Sequence, residues 1–224
     1  MLGLKDSLVF KEGLVVTANF QSGGNGQRGK DWESNPSENL LLSVVTEPKI
    51  KLDEQSLISK IAALSVCDLL KSFGIEAKIK WPNDILVAKK KIAGILIQNK
   101  LKENHITHSI IGLGFNVNQL VFKAYSPKAT SLRLQLNKQH EVLEIQEQFL
   151  CFLFSRLKLL KVGENQHNEY LKLLYLKEKL AAFESNNKQF MGIIKGVSES
   201  GKLIIQLEGG SIVEFENQQI KYLF

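Results

Sequence analysis

Lys80-Trp81-Pro82-Asn83-Asp84, followed seven residues on by Lys91-Ile92-Ala93-Gly94-Ile95-Leu96, is the stretch on which the fold turns. Ala77 to Trp81 reads as a strand that Pro82 stops, with Pro-Asn-Asp as the turn. Ile85 to Val87 and Ile92 to Gln98 read as the two arms of a hairpin around Lys89-Lys90-Lys91. Three lysines at a hairpin tip are ordinarily solvated. Lys91 differs because it leads straight into an apolar strand, and Ala93-Gly94 leave room for a ligand to reach the backbone. The turn has two readings. Asn-Asp after Pro is ordinary turn chemistry; alternatively, Trp81 offers a flat surface, Asp84 a hard oxygen ligand for Mg2+ beside a nucleotide, and Lys80 a point charge for phosphate.

Upstream, Gly13 to Phe20 reads as a strand running into Gln21-Ser22-Gly23-Gly24-Asn25-Gly26-Gln27-Arg28-Gly29-Lys30. Four glycines so close together exclude helix and regular strand. Freed backbone N–H groups there can wrap an anion, although such a loop is equally often a mere connection. The spacing Gly24, Gly26, Gly29 satisfies a dinucleotide fingerprint, but the following residues open no helix, as that motif requires. Asn39 to Thr46 reads as a strand buried on both faces. Asp53 reads as the N-cap of a helix carrying Leu57, Ile61, Leu64 and Leu69 up to Gly74.

Downstream, Ser109 to Phe115 reads as a strand ending in Gly112-Leu113-Gly114-Phe115-Asn116-Val117-Asn118. Its two glycines again point to close backbone approach. Asn116 either binds a phosphate or ribose or caps its own turn. A helix is expected over Glu141 to Leu160, with Leu143, Phe149, Leu150, Phe152, Leu153 and Leu157 on its apolar face. A second is expected from about Asn168 to Leu180. From about Ala182 short strands and glycine turns suit a small β-barrel. The class is therefore α+β, with a larger domain at 1–181 and a small domain at 182–224.

Composition narrows the function. The chain has 224 residues, 44% hydrophobic and 23% charged, ordinary for a globular protein. Two cysteines cannot build a disulfide framework, and Cys67 and Cys151 both read as small core residues in a cytoplasmic protein. His105 and His108 read as a polar loop with no metal spacing. No signal peptide or membrane span is readable. The net charge of +6 fits a solvated lysine-rich surface, a polyanionic ligand or an acidic partner. Only Arg28, Arg133 and Arg156 are arginines, which argues against specific DNA reading.

Taken in order, these segments resemble biotin protein ligases: the glycine-rich loop at 23–30 followed by Trp32, then KWPND at 80–84, KIAGIL at 91–96, GLGFNVN at 112–118 and Ala129-Thr130-Ser131-Leu132. The tail from Phe190, with Gly192, Gly196, Gly201 and Leu203, is similar to the family's C-terminal domain. The resemblance implies a mixed sheet flanked by helices, of the class II synthetase-like biotin–lipoate ligase kind, plus an SH3-like barrel. It implies an ATP-dependent ligase that joins biotin to ATP as biotinyl-5′-AMP with Mg2+, then transfers biotin to a lysine of a carboxylase's biotin carboxyl carrier domain.

Carried over residue by residue, it makes Lys91 and Arg28 catalytic. Gln21, Asn25, Gly26, Gln27, Lys91, Gly94, Gly112 and Gly114 become biotin contacts. Lys30, Trp32, Lys80, Asn83, Asp84 and Asn116 become the ATP side, with Asp84 on Mg2+. Asn25 and Gln27 stand where the family has arginines, a loss of charge-assisted contact. The family's first strand and Ser-Thr-Asn turn are not found before Leu14, so the chain reads as roughly twenty residues short. No winged helix precedes the loop, so a repressor role is not expected. A homodimer is a further expectation. Two alternatives stay open: a lipoate ligase on the same core, and a non-catalytic homologue that binds biotin or the carrier.

Overall fold

The computed structural model describes residues 11–21, 23–24, 32–124 and 126–223. The larger part is a seven-stranded sheet: β1 (Val15–Ala18), β2 (Asn39–Thr46), β3 (Ile50–Lys51), β4 (Lys78–Lys80), β5 (Asp84–Val87), β6 (Lys90–Lys102) and β7 (His105–Asn116). The order is β1-β2-β7-β6-β5-β4, with β3 on the far end of β7. Every strand pair is antiparallel. Parallel pairing enters at the margins as single bridges, Ile79–Leu174 and Lys91–Ala129.

One face of the sheet carries the core. Leu40, Leu42 and Val44 of β2, Ile85 and Val87 of β5, Ala93 and Ile95 of β6, and Leu113 and Phe115 of β7 alternate toward it. Against them pack α1 (Ser56–Ser72) and α3 (Val142–Lys161). The other face of β2 is also closed, with Leu41 and Val45 buried outside that core. Arg156 ties the helices together: its guanidinium pairs with Asp68 of α1 and with Glu169 of α4 (His167–Leu173). No helix among the described residues is long and apolar enough to cross a membrane.

Several local expectations are corrected. Asp53 does not cap α1. Leu52–Glu54 forms a separate 3-10 turn, because the Glu54 carboxylate accepts from Lys51 N at 2.9 Å and ends the chain's bend early. The second helix stops at Leu173. Leu174 bridges to Ile79 and Tyr175 N donates to Ile79 O at 2.8 Å, so the free edge of β4 captures a segment whose period was helical. His105 and His108 lie on β7, where His108 meets Glu47 at 3.4 Å. Cys67 is buried, whereas Cys151 is exposed on the outer side of α3. Leu143 is 62% exposed, because it lies off the face of α3 that buries Ile145, Phe149, Leu153 and Leu157.

A second sheet follows: β8 (Leu180–Ser185), β9 (Lys188–Val197), β10 (Leu203–Leu207), β11 (Ile212–Phe215) and β12 (Lys221–Tyr222), in the order β11-β10-β9-β8-β12. All its pairs are antiparallel, but its two end strands do not pair with each other among the described residues, so the expected barrel is an open sheet.

This sheet is fastened to α1 and to the KWPND turn. The Trp81 indole N–H donates to Gly201 O at 2.9 Å, and Ser56 Oγ donates to Glu199 O. Lys60, 3% exposed, donates to Ser198 O at 3.1 Å and Glu199 O at 3.2 Å. Beside it lies a cavity of about 250 Å3 bounded by the start of α1, Trp81, Ile95, Ile97 and Gly201. Because Ile95 and Ile97 line it, this cavity opens on the helix side of the sheet.

Burial pushes the Lys60 pKa down to about 8, against the upward pull of Glu199. Below pH 8 the amine is charged both folded and unfolded, and the folded state carries the full cost of burying it. Between about 8 and the ordinary 10.5 the folded protein releases the proton first, and that cost is relieved. The stability of the wild type minus that of Lys60→Met should therefore rise between pH 7 and pH 10 in urea denaturation. The raised groups Cys67 and Tyr170, which act in the opposite direction, cancel in the difference. A difference that stays flat would contradict this account of Lys60.

Candidate active site

Antiparallel register lines up Lys80, Asp84, Gly94, Gly114, Leu41 and Ala18 across six strands. Directly opposed residues present their side chains on the same face. This is the face away from α1 and α3, and the row has charges at one end and a bare floor in the middle. Asp84 Oδ1 lies 2.7 Å from Lys91 Nζ and Asp84 Oδ2 lies 3.3 Å from Lys80 Nζ. Among the described residues, two ammonium groups face one carboxylate beside the glycine floor. All three side chains are largely withdrawn from solvent, which strengthens their field on anything placed there.

The backbone around the cluster is tightly held. Asn83 Nδ2 donates to Ile95 O at 2.8 Å, and Ile95 N donates to Asn83 O at 3.0 Å, clamping the turn to β6. Lys91 N donates to Lys128 O at 2.7 Å, and Thr130 N donates to Lys91 O at 2.9 Å. The segment 128–130 thus runs beside Lys91. Asn116, 3% exposed, fixes that segment by donating to Thr130 O at 2.9 Å.

Trp32 lies on the glycine floor. A Cβ at Gly114 would stand 2.3 Å from Trp32 Cε2, and one at Gly94 would stand 3.0 Å from Trp32 Cζ3. Both glycines are required by this close approach. Lys91 Nζ sits 5.3 Å from the centre of the indole ring, within cation–π range. The indole N–H is buried without an acceptor among the described residues. Two anchors set Trp32 in place. Its backbone N donates to Gly24 O at 2.8 Å. Downstream, Asn39 joins Ser34, Gln119 and Val117 N in a buried network at the end of β7.

The structure therefore brings together Lys80, Asp84, Lys91, Gly94, Gly114 and Trp32. Gly112 stands one row away, opposite Leu96, and a Cβ there would meet Leu96 O rather than the indole. Gln21 is exposed, with its side chain against Gly24. Asn83 and Asn116 each commit their amide nitrogen to a backbone carbonyl. Trp81, read as a flat ligand surface, is 4% exposed and serves the junction with the second sheet. Asn25, Gly26, Gln27, Arg28 and Lys30 lie outside the described residues.

The donor set does not fit Asp84 as a ligand of a resident metal. Both its oxygens hold ammonium groups, and no group of three His, Cys, Asp or Glu side chains among the described residues converges. A magnesium ion here would have to arrive on the phosphates of a nucleotide. Sequence reasoning missed the Asn39–Gln119 network and Tyr222, whose ring lies 5.0 Å from Lys80 Nζ. A strand that begins with Asn, as β2 does, was the one available sign of the network.

Residues 5–116, half of the chain, match the model of the biotin/lipoate A/B protein ligase family. The chain belongs to that family. Residues 182–216 match the biotin protein ligase C terminal domain. The bifunctional ligase/repressor BirA of Bacillus subtilis is 37% identical over 109 residues, 48% of this chain and 34% of that protein. Its Escherichia coli counterpart is 26% identical over 216 residues, 89% of this chain and 63% of that protein. The match thus spans about a third of the Bacillus relative's length. The biotin protein ligase of Aquifex aeolicus, solved with biotin and ATP, superposes with a TM-score of 0.80 at 24% identity, covering 99% of this chain and 94% of that one. That likeness establishes the common fold.

Gly114→Ala tests the floor. An added methyl cannot coexist with the indole at 2.3 Å, so Trp32 should leave its site and the emission spectrum should shift to longer wavelength. Trp81, buried at the junction, should not respond. An unchanged spectrum would contradict the packing described.

Proposed function

We propose that this chain is a biotin–protein ligase. It activates biotin with magnesium-bound ATP and transfers the acyl group to a lysine of a biotin carboxyl carrier domain. The observation that carries the reading is the Lys80–Asp84–Lys91 cluster at the rim of the Gly94–Gly114 floor, in a chain of this family.

In the first step a biotin carboxylate oxygen attacks the α-phosphorus. The bond from that phosphorus to the bridging oxygen breaks and pyrophosphate leaves. Both reactants are anions, and charge grows on the transferring phosphoryl group. Lys91 supplies a preorganised ammonium for the carboxylate and the phosphate together, oriented by Asp84. Lys80 faces the leaving polyphosphate from the other oxygen of Asp84. The bare glycine floor takes the flat part of the ligand, so Trp32 moves from the floor to cover it. In the second step the carrier lysine, as a free amine, attacks the acyl carbon. The acyl–phosphate oxygen bond breaks, AMP leaves and the amine proton is lost to water.

The family description names lipoate as well as biotin. The match of residues 182–216 to the biotin protein ligase C terminal domain favours biotin. We place the reaction in the cytoplasm, where ATP and carboxylases meet and where two free thiols persist.

Incubation with biotin, magnesium ATP and an apo carrier domain should add one biotin to one carrier lysine, read by intact mass. Lys91→Ala should slow biotinyl-5′-AMP formation by a factor on the order of a hundred or more. An unaffected Lys91→Ala variant would return Lys91 to an ordinary hairpin lysine. Equal use of lipoate would overturn the choice of acid.

A further inference from the structure

Among the described residues, the second sheet reaches the candidate site through Tyr222. This residue lies on β12, pairs with Phe183 of β8 and is 8% exposed. Its ring meets Phe183 edge to face, with centroids 5.3 Å apart. The other face of the environment is Lys80, whose Nζ stands 5.0 Å from the Tyr222 ring centre. Burial above all, then Tyr170 and Asp84, push the phenol pKa well above its ordinary value, so the ring stays neutral at any working pH. A neutral aromatic face attracts an ammonium through its quadrupole, and more strongly where water is excluded. Lys80 is thereby held between the Asp84 carboxylate on β5 and an aromatic ring from the second sheet.

We propose that Tyr222 is a positioning residue for the nucleotide end of the site: it fixes the Lys80 ammonium beside the glycine floor and makes the second sheet part of the site. The inference rests on the adenylation reading above. Lysine is a compact charge on a flexible stem, and its value to a polyphosphate depends on where that stem is held. Removing the ring leaves the charge in the protein but releases one of its restraints. The cost should fall on the use of ATP and leave biotin binding alone.

A double-mutant cycle in single-turnover biotinyl-5′-AMP formation, with ATP varied, tests this. The four proteins are the wild type, Tyr222→Leu, Lys80→Ala and the double variant, each checked for fold by circular dichroism. Tyr222→Leu should raise the ATP concentration for half-maximal rate roughly threefold to thirtyfold, with the Kd for biotin unchanged by calorimetry. Tyr222→Phe, which keeps the ring, should restore most of the loss. In the Lys80→Ala background Tyr222→Leu should add nothing. Should Tyr222→Leu not fold, Tyr222→Met keeps more bulk and serves the same comparison. Independent, additive effects overturn the inference while leaving the adenylation reading intact, as does a loss of biotin binding and rate with no change in ATP dependence. A wild type that forms no adenylate overturns both.

Discussion

The site depends on one carboxylate. Asp84 opens β5, directly after the KWPND turn, and its two oxygens face two different lysines. Without it, Lys80 and Lys91 would be like charges brought together at the edge of a sheet and partly withdrawn from water, an arrangement that repels itself. With it, the pair becomes a fixed cationic edge, its two ammonium groups held from one carboxylate. The register of β4, β5 and β6 then sets where that edge lies: Lys80 opposite Asp84, Asp84 opposite Gly94. A shift of one residue would turn the cluster to the helix side, into an apolar core.

Much of the remaining structure holds that register. Asn83 clamps the turn to β6, and the segment 128–130 braces Lys91. Trp81 carries the restraint onward, since its ring is packed in the core and its N–H reaches Gly201 in the second sheet. Lys60 and Ser56 anchor the neighbouring carbonyls of the same loop. The second sheet is thus joined to the residues that frame the site on both sides of the KWPND turn. The uncharged part of the row, Gly94 and Gly114, is where Trp32 now rests, its indole N–H without an acceptor among the described residues. An aromatic ring on two glycines beside an ammonium shows the kind of flat group this surface accommodates.

The strands of the first sheet were legible because their apolar alternation and the glycine and proline punctuation agree. β2 reads from Asn39 to Thr46 in sequence and in structure alike. Lys91, Gly94 and Gly114 stood out on local grounds, a lysine leading into an apolar strand and glycines inside strands, whereas Lys80 and Asp84 also read as ordinary turn chemistry and were assigned through the family resemblance. Illegible were the features decided by partners distant in sequence. The end of α4 is set by the edge of β4, and periodicity within Tyr170 to Leu180 carries no sign of it. The contact of Tyr222 with Lys80 spans most of the chain. Trp81 looked like a ligand surface because its company was polar; its indole is instead committed to Gly201.

The central claim is that this cationic edge and glycine floor drive carboxylate adenylation. Its most direct measurement is exchange of labelled pyrophosphate into ATP, which reports the first step without any carrier protein. The account predicts exchange that requires biotin and magnesium together and disappears in Asp84→Ala. Exchange that proceeds without biotin, or none at all from the folded wild type, would contradict it.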